Sequence, residues 1–290
     1  MTTETQIAVV QTFMLPGDAV FPESVGVDQE TGDAYVGSLA DGALYRLTAD
    51  GQVELWSVAG QGGRNSVAGV KIDAQRRLWA AGGYEGKLWV YDLASGSALA
   101  GFDVGARPSC VNDISFGPDG EAYVTDSLIS LVFRVAGEPL AIEPWVDLAE
   151  QGVPWAEGLN FNGVVLTADA RHLVACQTNL GRLWQVSLET GQVREAALDD
   201  GPFQHCDGMA LSGSTLYVAV NARNLIAVLD LDDDGAAGKV RTTLRSDAFA
   251  FPTAVAAQNG RLLVVNGQLD KMGRAPQLPF TVVAVEMADG

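Results

Sequence analysis

Six successive segments repeat one order of short apolar strands, and an N-terminal strand-like run stands where the last segment falls short. Together these two features predict an all-β chain folded as a six-bladed β-propeller, its ring closed by the N-terminal strand completing the last blade. The segments begin at Phe21, Ser66, Cys110, Asn160, His205 and Phe251, at spacings of 45, 44, 50, 45 and 46 residues. Residues 1–290 then form a single domain, although about 150 residues per domain would have suggested two.

Within each segment the first strand follows a short polar opening, as in Phe-Pro-Glu-Ser-Val-Gly-Val-Asp from Phe21 and His-Cys-Asp-Gly-Met-Ala-Leu from His205. The second strand recurs as Ala34-Tyr35-Val36, Leu78-Trp79-Ala80, Ala122-Tyr123-Val124, Leu173-Val174-Ala175, Leu216-Tyr217-Val218 and Leu262-Leu263-Val264. A third recurs in the same way, from Leu44-Tyr45-Arg46-Leu47 to Val282-Val283-Ala284-Val285. Turn pairs such as Asp50-Gly51, Asp119-Gly120 and Asn259-Gly260 separate the strands, where a positive φ is cheapest for Gly. No helical period is sustained. The sixth segment ends just after its third strand, and the run from Thr5 to Met14 supplies the fourth, which leaves no open edge in the ring.

Composition excludes several functions. A net charge of −18 repels phosphate backbones and anionic membrane surfaces, so neither nucleic acid nor membrane is expected as a partner. No stretch reaches the ~18 apolar residues of a membrane helix, and the first residues lack a secretory signal, so the chain reads as cytoplasmic. Cys110, Cys176 and Cys206 form no CxxC and read as buried free thiols. His172 and His205 are 33 residues apart, which removes zinc motifs. GxGxxG, Walker and GxSxG patterns are absent too.

In a propeller the first strand of each blade lines the central channel, so equivalent openings converge on the axis. The register of the apolar strands places Glu23, Ala68, Asn112, Asn162, Asp207 and Thr253 in one column. Glu23, Asn112, Asn162 and Asp207 are oxygen donors. Singly, each could cap a strand end, but the four in register point to a metal site. Two carboxylates facing each other in a narrow channel raise one another's pKa unless a cation lies between them. Ca²⁺ takes about six to eight oxygen ligands, so four from the protein leave places for water and a small-molecule substrate. Mg²⁺ or Mn²⁺ fits the same donors, and nothing calls for a soft metal.

Residues two positions earlier on a strand share its face, which makes Phe21, Ser66, Cys110, Asn160, His205 and Phe251 the expected rim of the pocket. Substrate contacts are expected from Asn112, Cys110, Asn160, Phe21 and Phe251. His205, near a bound cation, could accept a proton from water, and Asp207 could act as base or nucleophile besides serving as ligand. Neither Cys110 nor Cys206 has a base beside it in the sequence. The segments holding Arg64 and Asn65, and Trp155 and Glu157, either overhang the pocket or are exposed loops. Asp230, Asp232, Asp234 and Gly235 begin like a calcium loop, but Arg241 stands where its final Glu is required, so they read as an acidic turn.

The openings Phe21-Pro22-Glu23, Val111-Asn112-Asp113, Phe161-Asn162-Gly163 and Cys206-Asp207-Gly208 resemble those of the SMP-30/gluconolactonase family, also called regucalcin-like proteins. The likeness spans the chain, and its specificity lies in the order and spacing of short motifs. It implies a six-bladed propeller in a calcium-dependent phosphotriesterase superfamily, alongside paraoxonases, diisopropylfluorophosphatase-like enzymes and strictosidine synthase-like proteins. It also implies Glu23, Asn162 and Asp207 as metal ligands, Asn112 as ligand or substrate-binding neighbour, and hydrolysis of lactones, with phosphotriesters often a side activity. Regucalcin-like lactonases place a substrate-contacting arginine two residues before the Asn112 position, where this chain has Cys110; Arg107 is out of register. Sugar lactones therefore fit this rim poorly. Three functions follow: a metal-dependent hydrolase, a strictosidine-synthase-like propeller that does not hydrolyse, and a protein-binding scaffold.

Overall fold

The computed structural model describes residues 3–201 and 203–287. Six small sheets stand around a central channel as the blades of a propeller, blade 1 at 22–57, blade 2 at 69–103, blade 3 at 111–147, blade 4 at 161–195, blade 5 at 206–245 and blade 6 at 252–286. In blades 1 to 5 the strands run from channel to rim in chain order. Blade 6 takes its outermost strand from the N-terminus, Val9–Leu15, antiparallel to Phe280–Glu286 in a register from Val9 opposite Val285 to Leu15 opposite Phe280.

The expected closing run divides in two. Thr3–Gln6 lies parallel to the outer strand of blade 5, with Thr3 opposite Thr242 and Gln6 opposite Arg245, and only the part from Val9 belongs to blade 6. Ile7, between the two pieces, packs against the apolar layer between blades 5 and 6. The N-terminus thus ties the last two blades together.

Burial explains why the strands read so apolar. Each of six hydrophobic clusters fills one interface between neighbouring blades, for example Trp79, Leu88 and Val90 of blade 2 against Ile114, Val124 and Phe133 of blade 3. A middle strand such as Arg77–Ala81 faces a blade on either side, so both of its faces exclude water. No helix among the described residues is long and apolar enough to cross a membrane.

One irregularity positions the site. The inner strands of blades 1, 3, 4, 5 and 6 break register at the column, between Pro22 and Val25, Val111 and Ile114, Phe161 and Val164, Cys206 and Met209, and Pro252 and Ala254. A bulge bends its strand and re-aims side chains, often beside active sites. Neighbouring inner strands also approach closely at this level. A Cβ on Gly208 would lie 2.9 Å from the Thr253 carbonyl oxygen, and one on Gly163 would collide with the Asp207 carbonyl and lie 2.9 Å from the Met209 nitrogen. Gly163→Ala should therefore cost about 2–4 kcal/mol in urea unfolding, because backbone on both strands must move to admit one methyl group. A loss below about 0.5 kcal/mol would refute this packing account.

Candidate metal centre

Glu23, Asn112, Asn162 and Asp207, each from a different blade, are 6%, 4%, 4% and 3% exposed. Blades 2 and 6 contribute Ala68 and Thr253 at the same level, and Thr253 Oγ1 donates to the Pro22 carbonyl at 3.3 Å. The oxygen-rich positions therefore belong to blades 1, 3, 4 and 5.

Second-layer side chains orient these groups. Asn112 Nδ2 donates to Ser127 Oγ at 2.9 Å, which leaves its carbonyl oxygen free of that bond, while Ser127 Oγ donates to the Phe161 carbonyl at 2.5 Å. Asn221 Nδ2 donates to Asp207 Oδ2 at 2.9 Å. Asp207 Oδ1 is buried with no hydrogen-bond partner. An orphaned carboxylate oxygen in a dry channel is costly.

The electrostatics agree. Burial, then the charges of Asp207 and Asp113, push the Glu23 carboxyl well above its ordinary range, with Lys71 pulling it partly back. Burial pushes Asp207 up to about 7; the Asn221 hydrogen bond opposes this, the Asp113 charge adds to it, and the Asn162 amide opposes it again. Two buried carboxylates that resist ionisation, two amide oxygens and an unsatisfied Oδ1 suit a hard divalent cation: the residues fit the ion. Among the described residues no three His, Cys, Asp or Glu side chains gather for a metal, so any ion here relies on the amides as well.

Asp113 and Lys71 were not singled out by sequence. Lys71 Nζ lies 2.8 Å from Asp113 Oδ1, and Asp113 Oδ2 accepts from the Val164 N–H at 3.1 Å. Simple alternation would have turned Asp113 away from Asn112; the bulge lets both address the channel. Asn221 and Ser127 were missed as well, for they lie just beyond second strands, where no repeat motif marks them.

The rim residues are placed unevenly. Phe21, His205 and Phe251 have φ values of 43°, 69° and 53°, so strand alternation stops before them. Phe21 is buried edge-on against Phe280, ring centroids 4.9 Å apart. Asn160 is fully buried, its amide donating to the Ala156 and Gly158 carbonyls and its oxygen accepting from Gln177 Nε2. Both side chains are occupied structurally. Phe251 is half-buried and His205 exposed, and the His205 carbonyl accepts from the N–H of Asn221, the residue that holds Asp207.

All three cysteines are buried free thiols. Burial, followed by the charges of Asp126, Glu23 and Asp207, pushes the Cys110 thiol up, which suits an inert side chain beside the carboxylates. Arg64 is wholly buried, donating to the Gly42 carbonyl, Tyr91 Oη and Ser57 Oγ. Asn65 binds Glu85, Trp155 stacks on Phe161, and Glu157 is exposed. In the acidic turn, Asp230 pairs with Arg241 and Asp234 with Arg194, as a solvated turn should.

No family model matches the chain, and no curated protein matches it in sequence. Solved structures do match in shape. A calcium-binding regucalcin from Agrobacterium tumefaciens superposes with a TM-score of 0.72 at 16% identity, covering 99% of this chain and 98% of its own. A gluconolactonase from Xanthomonas campestris gives 0.67 at 16% identity, with 95% and 89% covered. A virginiamycin B lyase from Staphylococcus aureus gives 0.66 at 15% identity, with 88% and 81% covered. This chain therefore has the fold of the regucalcin and gluconolactonase propellers, joined end to end by its own N-terminal strand.

Proposed function

We propose that the chain is a divalent-cation-dependent hydrolase of the SMP-30/gluconolactonase kind, acting on a small lactone or related ester, with phosphotriesters as a side class. The observation behind this reading is the buried oxygen set of Glu23, Asn112, Asn162 and Asp207, with Asp207 Oδ1 lacking a partner. Ca²⁺ is the best-fitting ion, with Mg²⁺ or Mn²⁺ as substitutes. When bound, the ion supplies Lewis-acid polarisation of the substrate's carbonyl or phosphoryl oxygen. Glu23 and Asp207 would contribute the charge that holds it, and the Asn112 and Asn162 oxygens would complete the protein's share. Asn221 fixes the rotamer of Asp207 through Oδ2, leaving Oδ1 to face the ion or a water. His205, two residues before Asp207 and exposed, is the candidate we assign to take the proton of the attacking water.

The test is an initial-rate screen of γ- and δ-lactones, aryl esters and phosphotriesters, with added Ca²⁺ and again with a chelator. At least one class should be hydrolysed, with a loss on the order of a hundredfold on chelation. The His205→Ala protein should lose about a hundredfold in turnover while binding Ca²⁺ as before. No hydrolysis together with no bound metal would leave the propeller as a scaffold.

A further inference from the structure

We propose that Lys71 sets the charge class of the cation the channel accepts, its ammonium bonded to Asp113 restricting the site to divalent ions. This inference rests on the metal-centre reading. The charge of Asp113 acts on both Glu23 and Asp207, and Lys71, bonded to Asp113, acts on Glu23 with the opposite sign. If all four are charged, the cluster carries two net negative charges, which a divalent ion neutralises. A trivalent ion would leave the channel with an unbalanced positive charge.

Lys71 lies on the inner strand of blade 2, three residues beyond Ala68, the column position that offers no oxygen. Blade 2 thus contributes a cation where blades 1, 3, 4 and 5 contribute ligands. The Asp113 side chain is 5% exposed and that of Lys71 21%, with Nζ and Oδ1 2.8 Å apart. The other carboxylate oxygen of Asp113 is fixed by the Val164 N–H, which prevents it from swinging away. Next to this layer lies a cavity of about 290 Å³, lined by Lys71 together with Val25, Ile114, Val164, Met209 and Val255. Lys71 is only partly exposed there, and its charge acts on Glu23 in the ligand layer. Each unit of charge on a bound ion feels the same repulsion from Lys71, so a trivalent ion is penalised half as much again as a divalent one.

The experiment is a competition titration of Ca²⁺ against Tb³⁺, read by terbium luminescence at neutral pH. Lys71→Met, which keeps most of the stem, should raise the ratio of Tb³⁺ to Ca²⁺ affinity about tenfold or more. Asp113→Asn leaves the ammonium unbalanced and should lower the ratio. The double variant removes one charge of each sign and should return near the wild-type ratio, and Lys71→Arg should keep it. A purely structural role for the pair would weaken both ions together and leave the ratio unmoved. Both single variants binding both ions at the wild-type ratio would overturn the assignment to Lys71 and leave the metal centre standing. A wild-type protein that binds neither ion would overturn the metal centre and, with it, this inference. Should one variant fail to fold, the other single variant still reports a shift of known sign.

Discussion

In the absence of metal at pH 8, the Asp207→Asn protein is expected to be more stable than wild type, and added Ca²⁺ should no longer raise its melting temperature. Asp207 is buried and its folded-state pKa stands at about 7, against 3.8 for an unperturbed group. The native state therefore holds this proton more tightly than the unfolded chain does. Between those two values stability falls as pH rises, by about 1.4 kcal/mol per unit, and the loss is complete above about pH 7. The upper figure is roughly 4 kcal/mol, shared with Glu23, whose carboxyl is raised for the same reason. An asparagine carries no charge to bury and can still accept from Asn221 through its oxygen, so the gain should be full at pH 8, fall to about 1.6 kcal/mol at pH 5 and vanish only below about pH 4. In the wild type a bound cation offsets the same penalty and adds about 2.7 kcal/mol at a hundredfold excess over its Kd. The variant should therefore lose both the response to Ca²⁺ and, by a factor on the order of a thousand, any metal-dependent hydrolysis. Thermal melts of both proteins at pH 5 and pH 8, with and without Ca²⁺, check every arm. An undiminished Ca²⁺ shift in the variant, or a variant less stable than metal-free wild type at pH 8, would falsify the assignment of Asp207 as a ligand.

The blades were legible because every middle strand is buried on both faces, so runs such as Leu78-Trp79-Ala80 stand out without any alternation. The column's register came from those same apolar runs, and Glu23, Asn112, Asn162 and Asp207 are all buried. What failed was the step from one strand position to the next. Alternation is a property of regular strands, whereas the bulges make Asp113 a neighbour of the carboxylates. Positive φ at Phe21 then sends its ring into the core against Phe280 instead of to the rim. Pairings between blades were beyond reach as well. Lys71 meets Asp113 across two inner strands that no local pattern relates, and Arg64, which looked like a loop residue, is buried against Tyr91 of blade 2.

The second large effect concerns the closure of the ring. Removing residues 1–6 should cost no more than about 1 kcal/mol, whereas removing residues 1–15 should abolish folding to a soluble monodisperse protein. The side chains of Thr3–Gln6 are exposed, and their contacts to blade 5 include a surface ion pair between Glu4 and Arg245, of a kind that contributes about 0–1 kcal/mol. Val9–Leu15 is different in kind. Phe13 and Leu15 are 2% and 1% exposed in the cluster shared by blades 6 and 1, and each stabilises the fold by roughly 1.5–3 kcal/mol through burial alone. Without this strand the Phe280–Glu286 edge is left unpaired, and unpaired edges template aggregation. Both losses fall on the one interface that joins the ends of the ring, against a total stability that is typically only about 5–15 kcal/mol. Phe13→Ala isolates the packing share and should lower stability by about 3–5 kcal/mol with the backbone ladder intact. If the protein lacking residues 1–15 stayed monomeric and melted within a few degrees of wild type, the strand would be an ornament on blade 6, and the ring would hold by its other five interfaces alone.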